Sequence, residues 1–318
     1  MSKYRSNLPL TKGGTFLTDG GLETTLIFHE GVELPHFASF VLLATREGRQ
    51  QLKDYYLRYL DIADEAGTGF VLDTPTWRAN ADWGDKLGYS DVALRAANED
   101  AVDLLTEIRD EREKPGAPIV VNGAIGPRGD GYKAGNMEAD EAEAYHLAQI
   151  KAFADSGADM VTAFTLNNIN EAIGVSWAAK KAGMPCVISF TVETDGKLVT
   201  GTTIEEAITA VDRATGSYPL YYMINCAHPS HFEEALDHGS DWIKRIGGIR
   251  ANASMMSHAE LDESETLDAG DPIDLGRRYS DMVKRMPQLR VLGGCCGTDH
   301  RHIGAICEAC LTPRALSA

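Results

Sequence analysis

Two adjacent cysteines, Cys295 and Cys296, stand between glycine pairs in the segment VLGGCCGTDH, residues 291–300. Neighbouring cysteines rarely bridge each other, because a disulfide needs its Cα atoms farther apart than one trans peptide bond places them. Their thiols are therefore available for other chemistry. A third cysteine, Cys226, follows Asn225 at the end of another apolar run, and flanking glycines allow backbone turns tight enough to direct successive sulfurs at one centre.

Three thiolates at one centre prefer a soft or borderline cation, and tetrahedral zinc with an open fourth position is the expected ion. Such a centre is a weak Lewis acid towards water, but it keeps a fourth, substrate thiolate deprotonated and electron-rich near neutral pH. The expected chemistry is activation of a thiol nucleophile, not hydrolysis. The alternative interpretation is that the three cysteines are small buried residues.

The apolar runs that carry these cysteines belong to a series of eight candidate strands, at 15–21, 69–75, 118–124, 158–164, 186–192, 221–227, 246–253 and 290–296. Amphipathic helical patterns lie between them, and those at 50–67 and 141–157 close on glycine. Eight such units in 318 residues predict an α/β fold, a single (β/α)8 TIM barrel. A doubly wound open sheet is the alternative, but no G-x-G-x-x-G follows the first strand.

Function in a barrel collects where the strands end at the C-terminal face. Strand one ends at Asp19-Gly20-Gly21 with Glu23 just beyond, strand six at Asn225-Cys226, and strand eight at Cys295-Cys296. Because strands six and eight lie close together in an eight-stranded ring, the three cysteines are expected to converge. The barrel is expected to span residues 1–318, with the acidic segment 254–276 as a loop or lid, or else a solvated insertion.

Composition limits the function classes. With 30 basic and 47 acidic residues, the formal charge of −17 gives no electrostatic footprint for nucleic acid or anionic lipid. No segment approaches the roughly 20 apolar residues of a membrane span, and the N-terminus lacks a signal-peptide pattern, so we expect a cytoplasmic protein without nucleic-acid or membrane partners.

Six cysteines in a reducing compartment are expected to be metal ligands, catalytic groups or buried residues instead of disulfides. Cys307 and Cys310 form a C-x-x-C pair, which is itself a metal spacing. The segment around them predicts a helix after strand eight, which would direct both along its flank and away from the barrel mouth.

The segments TDGGLETTL (18–26), INCAHP (224–229) and VLGGCCGTDH (291–300) together resemble the zinc-dependent homocysteine S-methyltransferase family, over essentially the whole chain. The resemblance implies a TIM barrel and methyl transfer to a thiol, most simply homocysteine giving methionine. It also implies zinc on Cys226, Cys295 and Cys296, an acceptor site lined by Asp19, Gly20 and Gly21, and Asn225 as the residue before the first ligand.

One position departs from the family pattern. After strand four the family usually carries a Glu, followed by Thr or Tyr, that helps hold the ammonium group of homocysteine; here Phe164 stands there, followed by Thr165. Glu193, at the end of strand five, is a candidate replacement carboxylate and equally reads as a solvated loop charge. If neither Glu193 nor Glu23 reaches the pocket, a thiol without an α-ammonium group becomes the better acceptor.

The methyl donor must be electrophilic, so a sulfonium or quaternary ammonium compound is expected, and such cations favour aromatic surroundings. Trp77 and Trp83 follow strand two near the same mouth and are candidates to face this cation, with packing anchors as the alternative. The histidines near the cysteines read as supporting or surface residues: His228, His231, His300 and His302. No catalytic side chain beyond the metal centre is expected.

The expected partners are a small thiol acceptor and a diffusible methyl donor, and a homo-oligomer is left open. Two other functions compete with methyl transfer. A zinc or thiol sensor would keep the metal centre without catalysis, and a barrel hydrolase would use zinc-bound water, which an all-thiolate ligand set disfavours.

Overall fold

The computed structural model describes residues 2–236 and 240–311 of the chain. Eight strands form a closed barrel in the order β1 to β8, and each strand pairs with its neighbours in parallel. The strands are β1 Phe16–Leu17, β2 Gly69–Asp73, β3 Ile119–Ile125, β4 Met160–Leu166, β5 Cys186–Phe190, β6 Tyr222–Asn225, β7 Ile246–Ala251 and β8 Val291–Gly294. The predicted (β/α)8 TIM barrel is confirmed. Of the expected 1–318 extent, residues 1, 237–239 and 312–318 lie outside the described residues.

Helices alternate with these strands along the chain. The α-helices are α1 Leu22–Thr24, α2 Arg46–Ala66, α3 Ala81–Lys86, α4 Asp91–Arg112, α5 Ala139–Ser156, α6 Ile169–Ala182, α7 Ile204–Thr215, α8 Pro229–Phe232, α9 His258–Asp262, α10 Pro272–Arg285 and α11 His300–Leu311. Short 3₁₀ turns occur at Pro9–Thr11, Pro35–Phe37, Ser39–Ala44 and Asp241–Arg245, and a π turn at Thr25–His29.

Local sequence explains where the long helices begin and end. In α2 the Thr45 side chain accepts a hydrogen bond from the Gly48 backbone N–H, and Gly67 ends the helix with a left-handed φ of 62°. Gly157 ends α5 in the same way, at a φ of 104°. Only glycine adopts this conformation without steric cost, so the predicted closing glycines are confirmed.

Side chains pointing inward fill the barrel. The interior cluster contains Val71, Val120, Met160, Val187 and Met223, and Leu8 and Leu10 from the segment before β1 add to it. Phe164 belongs to this cluster and is 8% exposed, with Trp77 packed against it. The upper end of the packed interior is therefore apolar at the position where the family pattern has a glutamate.

The loops after the strands build one mouth. Cys226 directly follows β6, Cys295 directly follows β8, and Asp19 lies two residues after β1. The expected loop at 254–276 contains α9, and its last residues form the first turn of α10. Within the described ranges, no helix combines the length and apolar character needed to cross a membrane.

Candidate metal centre and acceptor site

The Sγ atoms of Cys226, Cys295 and Cys296 lie within 4.8 Å of one another at the barrel mouth. The Cα atoms of Cys226 and Cys295 are 5.3 Å apart, and their sulfurs contact each other directly. The three side chains are therefore aimed at one point.

The donor set fits a zinc ion when it is reduced. Three sulfurs at tetrahedral positions around zinc would be about 3.8 Å apart, given Zn–S bonds of about 2.3 Å. All three sulfurs lie within 4.8 Å of one another, close enough to reach a single ion after a small adjustment of their side chains. Burial and the nearby Glu23 raise the pKa of the Cys296 thiol to about 11, so a cation is needed to hold it as a thiolate near neutral pH.

A buried amide orients the sulfurs. Asn225 Oδ1 accepts hydrogen bonds from the Thr165 backbone N–H at 2.9 Å and from Ser189 Oγ at 2.6 Å. Its Nδ2 donates to Thr165 Oγ1 at 2.9 Å and to Cys295 Sγ at 4.0 Å, and Thr165 Oγ1 donates to Cys226 Sγ at 3.8 Å. Asn225 and Thr165 therefore orient two of the three sulfurs, and this role requires no contact with the substrate.

The backbone is strained at two residues of this hydrogen-bond network. Cys226 has φ 55° and Thr165 has φ 61°, both in the left-handed region that residues other than glycine rarely adopt. Such strain persists only where the surrounding structure enforces it, and it is frequent at functional sites. Here the Cys226 N–H donates to the Arg250 carbonyl, and Asn252 Nδ2 donates to the Cys226 carbonyl.

Glycines allow the turn after β1 to approach the cysteine loop. An added Cβ at Gly21 would lie 2.6 Å from the Cys295 carbonyl oxygen, which is closer than real Cβ atoms come. The Gly21 N–H donates to the Thr298 carbonyl, so the two loops are also tied directly. Gly297 has φ 77°, which turns the chain immediately after Cys296.

A buried ion-paired triad lies beneath this turn. Arg250 from β7 donates to Asp19 Oδ1 at 2.7 Å and also to Asp73 Oδ2 at the end of β2. The Asp19 Oδ2 atom accepts from the Tyr55 hydroxyl at 2.9 Å. Burial lowers the pKa of Arg250, but the two carboxylates more than offset this and raise it. Burial raises the pKa of Asp73 to about 6, against the pull of Arg250.

Glu23 is a second acidic group at the mouth. Its Oε1 accepts from Ser39 Oγ at 2.7 Å, and it interacts electrostatically with Cys296 and Arg250. Burial raises its pKa, while the hydrogen bond from Ser39 lowers it. Among residues 2–236 and 240–311, no cationic side chain comes within ion-pairing distance of this carboxylate.

Glu193 lies in a different setting. Its backbone forms a tight turn, in which Glu193 N–H donates to the Lys197 carbonyl and Gly196 N–H donates to the Glu193 carbonyl. The charged groups that act on its side chain are Asp195 and His231, and burial raises its pKa. The structure therefore shows no contact between Glu193 and the cysteines and favours the loop-charge interpretation.

Arg78 lies on both tryptophans that the sequence offers for a methyl cation. Its guanidinium carbon is 4.1 Å from the Trp77 ring centroid and 3.7 Å from that of Trp83, and its Nη1 donates to the Gly129 carbonyl at 2.9 Å. These rings thus already hold a cation of the chain itself. The geometry favours the packing interpretation of Trp77 and Trp83.

The nearby histidines are engaged away from the sulfurs. His228 Nδ1 contacts Ser230, and burial lowers the pKa of His228 to about 4. His231 Nε2 contacts the Met255 carbonyl at 2.9 Å. His302 is buried between Asp299 and the Ala269 carbonyl. His300 is exposed on the first turn of α11. This placement agrees with the prediction that these histidines are supporting or surface residues.

Sequence reasoning missed three residues of the site: Tyr132, Arg250 and Asp73. Tyr132 interacts electrostatically with Cys296, and its ring lies 4.2 Å from that of His258, so the loops after β3 and β7 meet beside the cysteines. A signal for Arg250 was present, because a charge inside the apolar run IGGIRANA must find a buried partner. Tyr132 lies in a loop, and no spacing pattern points to it.

Comparisons with known proteins agree with this geometry. A family model described as homocysteine S-methyltransferase matches residues 16–310. The methionine synthase of Mycobacterium tuberculosis is 28% identical over 259 residues, which cover 77% of this chain and 20% of that protein. The chain therefore spans about a fifth of the length of this relative.

Two further proteins are similar over most of the chain. Betaine–homocysteine S-methyltransferase 1 of Rattus norvegicus is 24% identical over 319 residues, covering 94% of this chain and 73% of that protein. The metallated form of the homocysteine methyltransferase MmuM from Escherichia coli superimposes with a TM-score of 0.73 at 20% identity, covering 95% of this chain and 99% of that one. The structural likeness shows that the barrel fold is shared.

Proposed function

This chain belongs to the homocysteine S-methyltransferase family, and we propose that it is a zinc-dependent enzyme that moves a methyl group from a sulfonium or quaternary ammonium donor to a thiol. Homocysteine is the proposed acceptor and methionine the product. The observation that carries the proposal is the convergence of Cys226, Cys295 and Cys296 at the C-terminal mouth of the barrel. This is the face where barrel enzymes place their reactive groups.

The three cysteines would hold the zinc, with a fourth position left for the acceptor sulfur. When bound, zinc supplies the positive charge that keeps an acceptor thiol deprotonated near neutral pH. Asn225 and Thr165 hold two of the cysteine sulfurs by the hydrogen bonds described above. Their contribution is orientation, because groups fixed in a productive geometry lower the barrier to reaction.

The methyl transfer needs no general acid or base from the protein. A lone pair of the acceptor sulfur forms the new S–CH3 bond while the bond from the methyl carbon to the donor's onium atom breaks. The breaking bond's electrons stay on the donor, which leaves as a neutral thioether or tertiary amine, and the thiol proton has already gone to solvent. This agrees with a mouth in which the neighbouring histidines are engaged with other residues.

Two alternative functions are distinguished by the experiment described below. A thiol other than homocysteine is favoured by one observation, the apolar Phe164 at the family's glutamate position. A zinc or thiol sensor would bind a thiol and transfer nothing.

The experiment is a methyl-transfer assay on reduced, zinc-loaded protein. We expect about one zinc per chain in the reduced protein, and methionine formation from homocysteine with a sulfonium or a quaternary ammonium donor. Methylation of a different thiol alone would identify the acceptor alternative, and thiol binding without methylation by any donor would identify the sensor. Full activity in protein stripped of metal would exclude the proposed scheme.

A further inference from the structure

We propose that residues 254–269 are a lid over the barrel mouth and that the His258 side chain is the latch that holds this lid closed, so that reactants enter and products leave when the latch releases. The inference rests on the proposed methyl transfer for the identity of the reactants alone. It is drawn from one juxtaposition: a segment whose base is fixed beside Cys296 reaches loops on the far side of the mouth.

The strand order shows that this segment crosses the mouth. In the closed ring, β3 and β7 are four strands apart, so they stand on opposite sides of the barrel. The lid follows β7, yet the His258 ring lies 4.2 Å from that of Tyr132, in the loop after β3. Loops from opposite sides can touch only above the opening between them. Because the ligand cysteines follow β6 and β8, the lid also starts between the two loops that carry them.

The base of the lid is fixed to the cysteine loop and to itself. The Ala253 N–H donates to the Cys296 carbonyl at 3.1 Å, and Ser254 Oγ donates to Asp268 Oδ2 at 2.6 Å. A Cβ added at Gly270 would lie 2.1 Å from the Ala253 carbonyl oxygen, so the two ends of the segment are in contact. A surface loop of about 6–16 residues whose ends meet is a compact unit, and such loops are frequently functional.

The tip of the lid, residues 257–266, has little to hold it in place. None of residues 255–270 is buried, and none belongs to either apolar core cluster. A capping box between Ser257 and Glu260 keeps α9 formed, but this contact is internal to the tip. Within the described part of the chain, His258 is the tip residue whose side chain hydrogen-bonds to another loop. Segments with so few buried contacts open at a low cost in free energy.

His258 holds the tip at one point. Its Nε2 donates to the Val192 carbonyl at 3.1 Å and lies 3.3 Å from Thr191 Oγ1, and both partners belong to the loop after β5. Thr191 Oγ1 also donates to the Cys226 carbonyl at 3.5 Å, so the latch closes beside the loop that carries this ligand. One side chain therefore joins the loops after β3, β5 and β7, and its removal frees the tip from both other loops.

A lid that opens and closes suits the proposed chemistry. Closing an active site strengthens the electrostatic interactions inside it and keeps competing reactions out. Cys226 is 3% exposed in the closed arrangement, so a thiol or a methyl donor needs an opening to reach the sulfurs. In enzymes with such lids, opening controls entry and release.

The test measures how fast iodoacetamide alkylates each cysteine of the reduced, metal-free full-length chain, by mass spectrometry of its peptides. His258→Ala removes the ring contact and the hydrogen bonds, and His258→Phe keeps a ring but removes the hydrogen bonds. Asp262→Ala, at an exposed position of α9, is the matched control within the lid. Cys310, on the flank of α11, is the internal reference.

We expect the three mouth cysteines to react about tenfold faster in His258→Ala than in the wild type, because the closed state loses one hydrogen bond and one ring contact. A site behind a rapidly moving lid reacts in proportion to the fraction of molecules that are open. His258→Phe should give an intermediate rate, and Asp262→Ala should match the wild type. An unchanged rate at Cys310 in all four proteins shows that the barrel is folded.

A second measurement distinguishes a lid from a contact with the bound thiol. Homocysteine is mixed rapidly with cobalt(II)-loaded protein, and thiolate-to-cobalt charge-transfer absorption gives the association and dissociation rate constants. A lid that must open for both entry and exit changes both rate constants by the same factor, so both should rise about tenfold in His258→Ala at an unchanged dissociation constant.

Three results would overturn the lid. His258→Ala leaves the mouth cysteines at their wild-type alkylation rates, or it accelerates Cys310 equally, or it changes the dissociation constant of homocysteine at an unchanged association rate. A different result would remove the proposed function: no thiol changes the cobalt spectrum of the wild type and none is methylated. The alkylation rates would still decide whether His258 holds a lid, because they require neither metal nor substrate.

Discussion

Cys296 is the second of the two adjacent cysteines in the centre, and its thiol interacts electrostatically with Tyr132. We expect Cys296→Ser to lose both zinc retention and methyl transfer, because two thiolates and a hydroxyl hold zinc far more weakly than three thiolates. Zinc content by atomic emission and methionine formation measure the two effects. Cys310→Ser, on the flank of α11, is the control and should keep both its zinc and its activity. A zinc-free Cys296→Ser with normal turnover would contradict the proposed metal centre.

The burial of Arg250 predicts that replacing it destabilises the protein more than replacing an arginine in an exposed ion pair. Arg250→Met leaves Asp19 and Asp73 buried without a cation, and we expect a loss of about 3–5 kcal/mol in the free energy of unfolding. Arg277→Met removes an exposed pair with Asp274 and should cost at most about 1 kcal/mol. Urea unfolding of both variants at neutral pH gives the comparison. Equal losses would mean that the triad is solvated.

Single residues also show what the sequence can reveal about this site. The cysteines were predictable because their type, their glycine neighbours and their positions after apolar runs agree. The triad was not predicted, since its partners come from β1, β2 and β7 and depend on which way each side chain points. Likewise, the sequence places Trp77 and Trp83 at the mouth but does not show that Arg78 covers them.

At the scale of elements, the eight strands were predictable because each is an apolar run bounded by turn residues, as parallel strands buried on both faces require. The lengths of the strands were harder to predict. The first was expected at 15–21, but regular pairing ends at Leu17, because the next residues turn towards the loop after β8. Contacts between loops, such as that of Tyr132 with His258, follow no periodicity and stayed unpredicted.

The start of α11 carries a prediction about pH. Burial alone would raise the pKa of Asp299, but hydrogen bonds from His302 and Arg301 outweigh it and hold the pKa well below its usual range. A lowered carboxyl pKa stabilises the fold above the unfolded value, and this stabilisation disappears as pH falls below about 4.

We therefore expect Asp299→Asn to lower the free energy of unfolding by about 1–2 kcal/mol at pH 7. The difference from the wild type should shrink as the pH approaches 4 and below, because the wild-type carboxylate then becomes protonated. Urea titrations at several pH values measure it. A difference that stays constant with pH would show that the charge of Asp299 is not what stabilises the helix start.

For the whole molecule, zinc should act as a link between β6 and β8, whose ends carry the ligands. A ligand that binds only the folded state raises its stability by mass action. We expect the melting temperature of the reduced protein to rise with added zinc and to fall with a chelator. Magnesium, which prefers oxygen ligands, should have no effect, and Cys296→Ser should respond little to either ion. A wild-type protein that is insensitive to zinc would contradict this coupling.

The triad also fixes when the site can come into existence during synthesis. Asp19 and Arg250 are 231 residues apart, and β1 pairs with β8, so the first strand has no completed surroundings until the last one has left the ribosome. A nascent chain that has exposed Cys226 still lacks both other thiols. Metal capture therefore waits until β8 and the two cysteines after it have been synthesised, and a chain interrupted before them would hold an unpaired acidic turn instead of a partial centre.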